Sequence, residues 1–363
     1  MSGTMSVTMV DQDSGDLSGL MLEQADRLFE QEVTIARLAA FDQGASQDDL
    51  WRTIEEAGLP LALVAEAQGG IGLPIQATLG LIGRSAYRTV PLPLAETILA
   101  GALWAEASGE SIGGMISLAA ASVGIDSRGD GFVLSGTVAG VPWGAEVGHV
   151  LLHGRDQAGD SVLALLPQGA APAKSRKNLA GEPRATLTLD GVTLSGGQVR
   201  PAPAVAAEGL LALGAMIRAR QMVGAMERVL EAAVTYAGER RQFGRTLGKF
   251  QAIQQMLAEA AGHLAASEAA VALAADAYGR EDFAFQAAIA KSRSGEAAGK
   301  VAEICHQVHG AMGFTQELPL HFATRRLWSW RDEFGGEPYW QERIGRAVCT
   351  AGGEALWPRL VGA

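Results

Sequence analysis

Apolar residues follow two different spacings along this chain, and the changes between them divide it into three regions. Over residues 1–110 they recur three and four positions apart, which predicts helices. Between residues 111 and 205 the spacing shortens to alternation, and glycine and β-branched residues become frequent, which predicts strands. From residue 206 to residue 363 the helical spacing returns in alanine-rich segments. The pattern therefore predicts an N-terminal helical domain, a middle β domain and a C-terminal helical domain.

The last region should hold four long helices with short connections, which favours an antiparallel four-helix bundle. They are predicted to run from Glu208 to about Gly238, from about Leu247 to Tyr278, from about Glu281 to Gly310, and onward from Pro338. The strands of the middle region are short and separated by turn-forming residues, a pattern typical of a small barrel or sandwich. The expected fold class is α+β, mostly α.

Composition and charge argue against several classes of protein. The chain has 363 residues, of which 48% are hydrophobic, enough for a sizeable core. Its net charge of −11, without a basic cluster, argues against nucleic-acid binding. Cys305 and Cys349 match neither a disulfide framework nor a metal site. Residues 1–16 do not resemble a signal peptide, and no uninterrupted apolar stretch reaches the length of a membrane span. We therefore expect a cytoplasmic protein that does not insert into membranes.

Two segments of the C-terminal region carry a recognisable pattern. Residues 240–254 resemble the R-x-x-F-G-x-x-x-x-x-F/H-Q stretch of acyl-CoA dehydrogenases. Residues 307–314 resemble that family's Q-x-x-G-G-x-G-[YF] segment, with Ala311 in place of the second glycine. Weaker matches follow the family's order at residues 69–73, 91–94, 317–320 and 325–326. The resemblance covers nearly the whole chain and implies the same order of domains as the hydrophobic pattern.

The resemblance implies an FAD site that is shared between two subunits, because in this family these groups reach the FAD of the neighbouring subunit. Arg240 falls on the arginine that binds the pyrophosphate, where a guanidinium pairs with phosphate in a fixed fork. The same residue types also suit plain helix ends, since cations favour a helix C-terminus and glycines commonly cap one. The implied cofactor-binding residues are Arg240, Phe243, Gln251, Gln307, Gly310 and Gly313.

The resemblance also indicates where a catalytic carboxylate should lie, and neither position is acidic. Acyl-CoA dehydrogenation removes a proton from Cα and a hydride from Cβ, and the proton needs a carboxylate with a raised pKa. Most members place this glutamate in a Y-E-G-T sequence, whose counterpart here has Phe334 at the glutamate position. Other members place it on the first bundle helix, where this chain has Gly214. Glu333 is the remaining candidate base, with Asp332 and Glu337 beside it; the alternative role of these acids is as solvated or ion-paired groups.

The middle region departs from the family as well. Its usual T-E-x-x-A-G-S-D loop is missing, since residues 115–121 run almost directly to Gly124. Residues 137–142 stand where a K-x-[WF]-[IV]-[TS] stretch should be, without its lysine or aromatic residue. We therefore expect the flavin-ring half of the site to be degraded while the nucleotide half survives.

Two other groups of residues have alternative interpretations. His306, His309 and His321 are close in sequence, but no metal-ligand pattern is complete, so no metal is expected. The aromatic residues within 328–340 suit core or interface packing, or the wall of a substrate pocket.

The resemblance leads to one principal hypothesis and two alternatives. The chain would take part in α,β-dehydrogenation of an acyl-CoA thioester by giving half of an FAD site to a second acyl-CoA dehydrogenase-like subunit. Some members are heteromers of this kind, often in the catabolism of steroid-type thioesters, and the chain alone would then be inactive. Alternatively, it is a self-sufficient homo-oligomeric flavin dehydrogenase with Glu333 as base, or a scaffolding protein without flavin. Both flavin hypotheses imply a separate electron-transfer acceptor.

Overall fold

The N-terminal part of the structure is built from helices. The computed structural model describes residues 7–361, with the environment of side chains given for 17–358. In α4 and α5 the apolar positions are buried nearly all round, so these two helices lie inside the molecule rather than on its surface. The five helices of this part are α1 (Val7–Glu32), α2 (Ile35–Asp42), α3 (Asp48–Glu56), α4 (Ile75–Tyr87) and α5 (Leu94–Ser108).

The middle part contains two sheets. A six-stranded sheet has the order β8-β2-β1-β4-β5-β9, and a three-stranded sheet has the order β3-β7-β6. Strands β1 and β4 are parallel, whereas the other pairs are antiparallel. Apolar side chains from both sheets form a core of their own, as a sandwich requires. The strands are β1 (Ile116–Arg128), β2 (Gly131–Ser135), β3 (Thr137–Pro142), β4 (His149–Arg155), β5 (Ser161–Pro167), β6 (Ala173–Lys177), β7 (Pro183–Thr188), β8 (Thr193–Ser195) and β9 (Val199–Pro201).

The C-terminal part is again helical, with one two-stranded hairpin between its first two helices. Strands β10 (Arg241–Gln242) and β11 (Arg245–Thr246) pair to form that hairpin. The helices are α6 (Leu211–Glu239), α7 (Gln251–Asp276), α8 (Phe283–His309), α9 (Leu320–Trp330), α10 (Glu337–Ala351) and α11 (Leu356–Val361). The predicted fold class, mostly helical with helical, β and helical parts in that order, is confirmed. The prediction omitted α9, in which Leu320, Ala323, Leu327 and Trp330 recur at helical spacing with aromatic and basic side chains between them.

The N-terminal and C-terminal helices share one hydrophobic core, in which α4 packs directly on α6. Glycine makes this close approach possible: a Cβ on Gly224 would lie 2.1 Å from the carbonyl oxygen of Gly83. The two helices therefore meet backbone to backbone. Among residues 7–361, no helix is long and apolar enough to cross a bilayer.

Candidate functional site

The two positions at which the sequence analysis expected a base meet in space. Gly214 lies in the first turn of α6, and Phe334 lies in the turn between α9 and α10. A Cβ on Gly214 would lie 2.1 Å from Cδ1 of Phe334, so only glycine leaves room for this ring. The phenyl ring is buried, with a relative exposure of 6%. An apolar ring therefore fills the space between the two positions at which the sequence analysis expected a carboxylate.

The turn that carries Phe334 is held by hydrogen bonds from two helices. Phe334 and Gly335 both have positive φ, 52° and 87°. This conformation costs a phenylalanine energy, so it persists only where the surrounding structure imposes it. Lys291 of α8 donates from Nζ to the carbonyl oxygens of Arg331 at 2.6 Å and of Gly335 at 2.8 Å. Trp340 donates from Nε1 to the carbonyl oxygen of Phe334 at 2.9 Å. Burial lowers the pKa of Lys291 to about 8, against the opposing effect of nearby acids.

Glu333, the candidate base, is bound on both carboxylate oxygens. Arg184 of β7 donates from Nε to one oxygen at 2.7 Å, and Arg218 of α6 donates from Nε to the other at 2.8 Å. Asn178 also donates to the first oxygen, at 3.2 Å. A general base must have a free lone pair within reach of the proton it removes. In this arrangement Glu333 serves as an acceptor for two guanidinium groups. Glu337, one of the two other acids that the sequence analysis placed beside Glu333, forms an ion pair with Arg331 at 2.9 Å.

The two arginines extend this contact into a buried ionic network that joins all three parts of the fold. Arg218, 1% exposed, also pairs with Glu96 of α5. Arg184 pairs with Glu182 at 2.9 Å, and Glu182 in turn contacts Arg326 of α9 at 3.1 Å. Burial alone would raise the pKa of Glu182, but Arg184, Arg326 and Arg218 outweigh it and lower that pKa to about 2. Each charge is therefore compensated by at least one opposite charge.

The sequence analysis missed this ionic network, although a signal for it was present. Arg218, Glu96 and Lys291 each interrupt a long apolar or alanine-rich run of a predicted helix. A charge in such a run is almost never buried without a partner. Identifying the partners needed the fold, because Glu96 and Arg218 are 122 positions apart.

Beside this network a pocket of about 470 Å³ opens between the β sheets and the turn from α9 to α10. Its walls include Ala139 and Gly140 of β3 on one side and Trp328 and Phe334 on the other. β1 runs as a single strand through residues 116–128, with one irregularity between 118 and 122, where the family's loop was expected. The strand side thus offers neither an aromatic face nor a hydroxyl group to a flavin ring.

The predicted nucleotide-end residues lie at the other end of α6. The hairpin of β10 and β11 turns at Phe243 and Gly244, which have φ of 51° and 81°, the two positive values of a type I′ turn. Phenylalanine is unusual at such a position, and the side chain of Phe243 is 91% exposed. Its only aromatic neighbour among the described residues is Phe250, at 6.2 Å between ring centroids. A strained, exposed ring of this kind is available to a bound molecule or to another chain.

Arg240 and Gln251 flank this hairpin with unengaged polar groups. The backbone of Arg240 ends α6, and its carbonyl oxygen accepts from the amide of Leu247 at 2.8 Å. The exposed guanidinium group makes no hydrogen bond or ion pair with any residue in the described part of the chain. Gln251 is the first residue of α7 and is likewise exposed. A free guanidinium group and a free amide beside an exposed aromatic ring suit the phosphate and base of a dinucleotide.

Residues 307–314, the second segment that resembles the family, lie at the same end of the bundle as Arg240. Tyr236, one turn before Arg240, packs against His309 at the end of α8, with ring centroids 4.6 Å apart and the rings tilted by 31°. Gly310 follows with φ of 61° and open space where a Cβ would point, so its backbone can be approached closely. Gly313 instead is buried, and a Cβ there would lie 3.0 Å from that of His309, so packing explains this glycine. Gln307 is exposed.

The histidines that the sequence analysis singled out bond to protein groups. His306 lies between the rings of Phe314 and Trp328, at 4.7 and 5.6 Å, and contacts the hydroxyl of Thr324 at 3.1 Å. The Nδ1 atoms of His309 and His321 each contact a backbone carbonyl. Within the described ranges, no group of three or more His, Cys, Asp or Glu side chains is placed to hold a metal ion.

The fold and these motifs resemble those of acyl-CoA dehydrogenases, and comparison with known proteins agrees: the chain belongs to the acyl-CoA dehydrogenase family. The family model "Acyl-CoA dehydrogenase, C-terminal domain" matches residues 204–332. Membership implies FAD as the cofactor. The nucleotide-end residues fit that group, whereas the strand residues beside the 470 Å³ pocket do not fit its ring.

Among individual proteins, the chain is similar to acyl-CoA dehydrogenase FadE34 of Mycobacterium tuberculosis, with 32% identity over 334 residues. That match covers 86% of this chain and 44% of FadE34, so the chain spans less than half the length of that relative. In structure it is similar to a chain of the ChsE4-ChsE5 complex from the same organism, with a TM-score of 0.83 at 22% identity, covering 95% of this chain and 98% of that one. A Tcur3481-Tcur3483 steroid ACAD gives the same TM-score at 24% identity, covering 93% and 99%.

Proposed function

We propose that this chain is the subunit of an acyl-CoA dehydrogenase that completes the FAD site of a catalytic partner and does not itself remove the substrate proton. One observation carries the proposal: the ring of Phe334 rests against Gly214, so both positions for the family's base are filled without a carboxylate. A general base typically contributes about 10²–10⁴-fold to such a reaction. Without it, the proton at Cα has no acceptor.

The surroundings of Phe334 support the same conclusion. Arg218 lies over that ring at 5.4 Å and is tied to Glu96 and Glu333 on either side. An acyl chain entering this space would have to displace buried ion pairs, and separating one typically costs about 3–5 kcal/mol. The ion pairs of Arg218 with Glu96 and Glu333 therefore occupy the region that would surround the reacting carbons of a substrate.

The opposite end of the bundle supports the other half of the proposal. FAD, when bound, supplies the hydride acceptor, and the residues of this chain would bind its dinucleotide part. Arg240 would neutralise the pyrophosphate, Phe243 would cover the nucleotide, and Gln251 would hydrogen-bond to it. All three are exposed and point away from the core of their own chain, as residues must if they serve a site in a neighbouring subunit.

The partner would be a second acyl-CoA dehydrogenase-like chain that carries the glutamate. The structural relatives described as a complex and as a steroid ACAD favour a heteromer that acts on a bulky, steroid-type acyl-CoA thioester. The electrons would leave FAD for a separate electron-transfer acceptor.

Co-expression tests this proposal. The purified chain alone should hold little FAD and should not reduce a dye acceptor when acyl-CoA is added. Together with a partner that carries the glutamate it should hold about one FAD per pair of unlike chains and become active. Robust activity of the chain alone would refute the proposal, and its loss in Glu333→Gln would then identify Glu333 as the base. Absence of flavin in every combination would instead indicate a scaffolding protein.

Changing Arg240 to alanine in the co-expressed complex tests the cofactor contact itself. The charge-assisted bond to phosphate is worth roughly 1.5–3 kcal/mol, so flavin affinity should fall by about ten-fold or more. Arg241→Ala is the matched control, because the Arg241 guanidinium already donates to the carbonyl of Gly244 at 3.3 Å. Flavin content, measured by absorbance after gel filtration, should fall in the first variant and hold in the second. Equal flavin content in both variants would show that Arg240 does not bind the cofactor and only stabilises the C-terminal end of α6.

A further inference from the structure

Three polar side chains on adjacent strands of the six-stranded sheet form a continuous hydrogen-bonded row. Ser122 of β1 and His153 of β4 are register partners, with 2.7 Å between Oγ and Nδ1. The other ring nitrogen of His153, Nε2, lies 2.8 Å from Oγ of Ser161 on β5. When Nε2 carries the proton and donates it to Ser161, Nδ1 is left as the acceptor for the hydroxyl of Ser122. In that tautomer the ring can take a proton from Ser122.

The two ends of this row have different environments. His153 is buried, with a relative exposure of 3%, whereas Ser122 is exposed. Burial lowers the pKa of His153, against the opposing effects of the Ala207 backbone and Glu208, and so favours the neutral imidazole. A neutral, oriented imidazole behind an accessible hydroxyl is the arrangement by which a serine is activated as a nucleophile.

Local backbone features keep the hydroxyl of Ser122 accessible. The pairing of β1 with β4 shifts between Leu118 and Ser122, an irregularity that re-aims side chains in a strand. Gly209 passes next to the pair with φ of 106°, and a Cβ there would lie 3.6 Å from Oγ of Ser122 and 3.5 Å from Nδ1 of His153. Any larger residue would be strained at this φ, although its Cβ would make only ordinary contact with the hydroxyl.

Ser122 lines a pocket of about 700 Å³ that is large enough for an acyl group. The aromatic residues Tyr339 and Trp340 of α10 form part of its wall, and Leu211 and Ala212 at the start of α6 form another part. Two exposed arginines, Arg280 and Arg343, also line it, and Arg343 donates to the hydroxyl of Tyr339 at 2.7 Å. Glu208 and Glu281 line the pocket as well, so the two arginines are matched by two acids. The apolar part of the wall is what suits an acyl group.

We propose that Ser122 and His153 form a nucleophile–base pair that hydrolyses acyl thioesters in this pocket. Oγ of Ser122 adds to the thioester carbonyl carbon while Nδ1 of His153 takes the hydroxyl proton. The C–S bond then breaks, and the thiolate leaves as a thiol with the proton from His153. Water, activated in turn by His153, cleaves the acyl-serine ester, which releases the acid and restores the serine. No electrons are transferred, so the reaction needs no flavin and is independent of the dehydrogenase partner.

Labelling with a fluorophosphonate probe tests the nucleophile in the unmodified protein. The probe should attach to Ser122, as mapped by mass spectrometry, and release of free thiol from butyryl-CoA should be detectable with a disulfide reagent. Ser122→Ala should abolish both. Ser127→Ala is the matched control, because Ser127 is an exposed serine on the same strand and lies outside the pocket.

The variant His153→Gln tests the base and should slow labelling and thiol release by about 100-fold or more. Ser161→Ala, which leaves the base in place and removes only its orienting partner, should cause a smaller loss in kcat. If His153→Gln fails to fold, the Ser161 variant and the labelling of the unmodified chain still decide the matter. The proposal is wrong if folded, unmodified protein leaves Ser122 unlabelled, or if thiol release persists in Ser122→Ala.

Discussion

Replacing Arg218 by methionine would remove the guanidinium shared by two carboxylates, the buried Glu96 and the partly buried Glu333. Methionine keeps most of the aliphatic volume, so the main loss is electrostatic. Glu333 would still be paired with Arg184 at 2.6 Å, but Glu96, 2% exposed, forms no other ion pair among the described residues. Removing one partner of a buried pair typically costs about 3–5 kcal/mol, because the remaining charge is left without compensation.

The structure also predicts which second change would compensate. If the cost comes from the carboxylate of Glu96, left without its partner, then Arg218→Met combined with Glu96→Gln should recover most of the lost stability, since an amide carries no charge. Urea unfolding followed by tryptophan fluorescence measures each variant. Arg346→Ala is the control: its partner Glu342 lies in an exposed i, i+4 pair, and little change is expected. A loss below about 1 kcal/mol in Arg218→Met would refute the view that this network holds the three parts of the fold together.

Two further stability measurements follow from the same region. Gly214→Ala should destabilise the chain by about 1–3 kcal/mol, because its Cβ would overlap the ring of Phe334. Gly262→Ala is the control: it lies in open space on α7 and should be neutral or stabilising. Equal effects of the two variants on urea unfolding would contradict the contact between Gly214 and Phe334. The folded-state pKa of Glu182, about 2, is below its ordinary value of 4.5, so its contribution to stability is present above pH 4.5 and is lost as the pH falls toward 2. That difference of about 2.5 between the two pKa values corresponds to about 3 kcal/mol of stability. Glu182→Gln should therefore make the free energy of unfolding depend less on pH between 2 and 4.5.

The sequence predicted the long helices well, because an apolar stripe repeats over many turns. The helix expected from Glu208 to about Gly238 runs from Leu211 to Glu239. The short helix α9 was missed because aromatic and basic side chains lie between the apolar positions of its stripe. Pairings across the fold were missed for a different reason: no local pattern relates Glu96 to Arg218, or Ser122 to His153, until the chain has folded. The resemblance to a family did single out Gly214 and Phe334, which are distant in sequence and in contact in the structure.

The contact between Phe334 and Gly214 also determines what restoring a carboxylate would achieve. In Phe334→Glu the new side chain would lie near Arg218, which now stands 5.4 Å from the ring centre. A guanidinium that close favours the ionised carboxylate and hydrogen-bonds to it, which opposes the raised pKa that a proton-abstracting group needs. Phe334→Glu alone should therefore not make the isolated chain reduce a dye acceptor with acyl-CoA, even with added FAD. The pair Phe334→Glu and Arg218→Met removes this cation and tests whether the arginine is the obstacle. Activity in the single variant would show that the ring alone blocks the chemistry and that the ionic network is compatible with an acyl site.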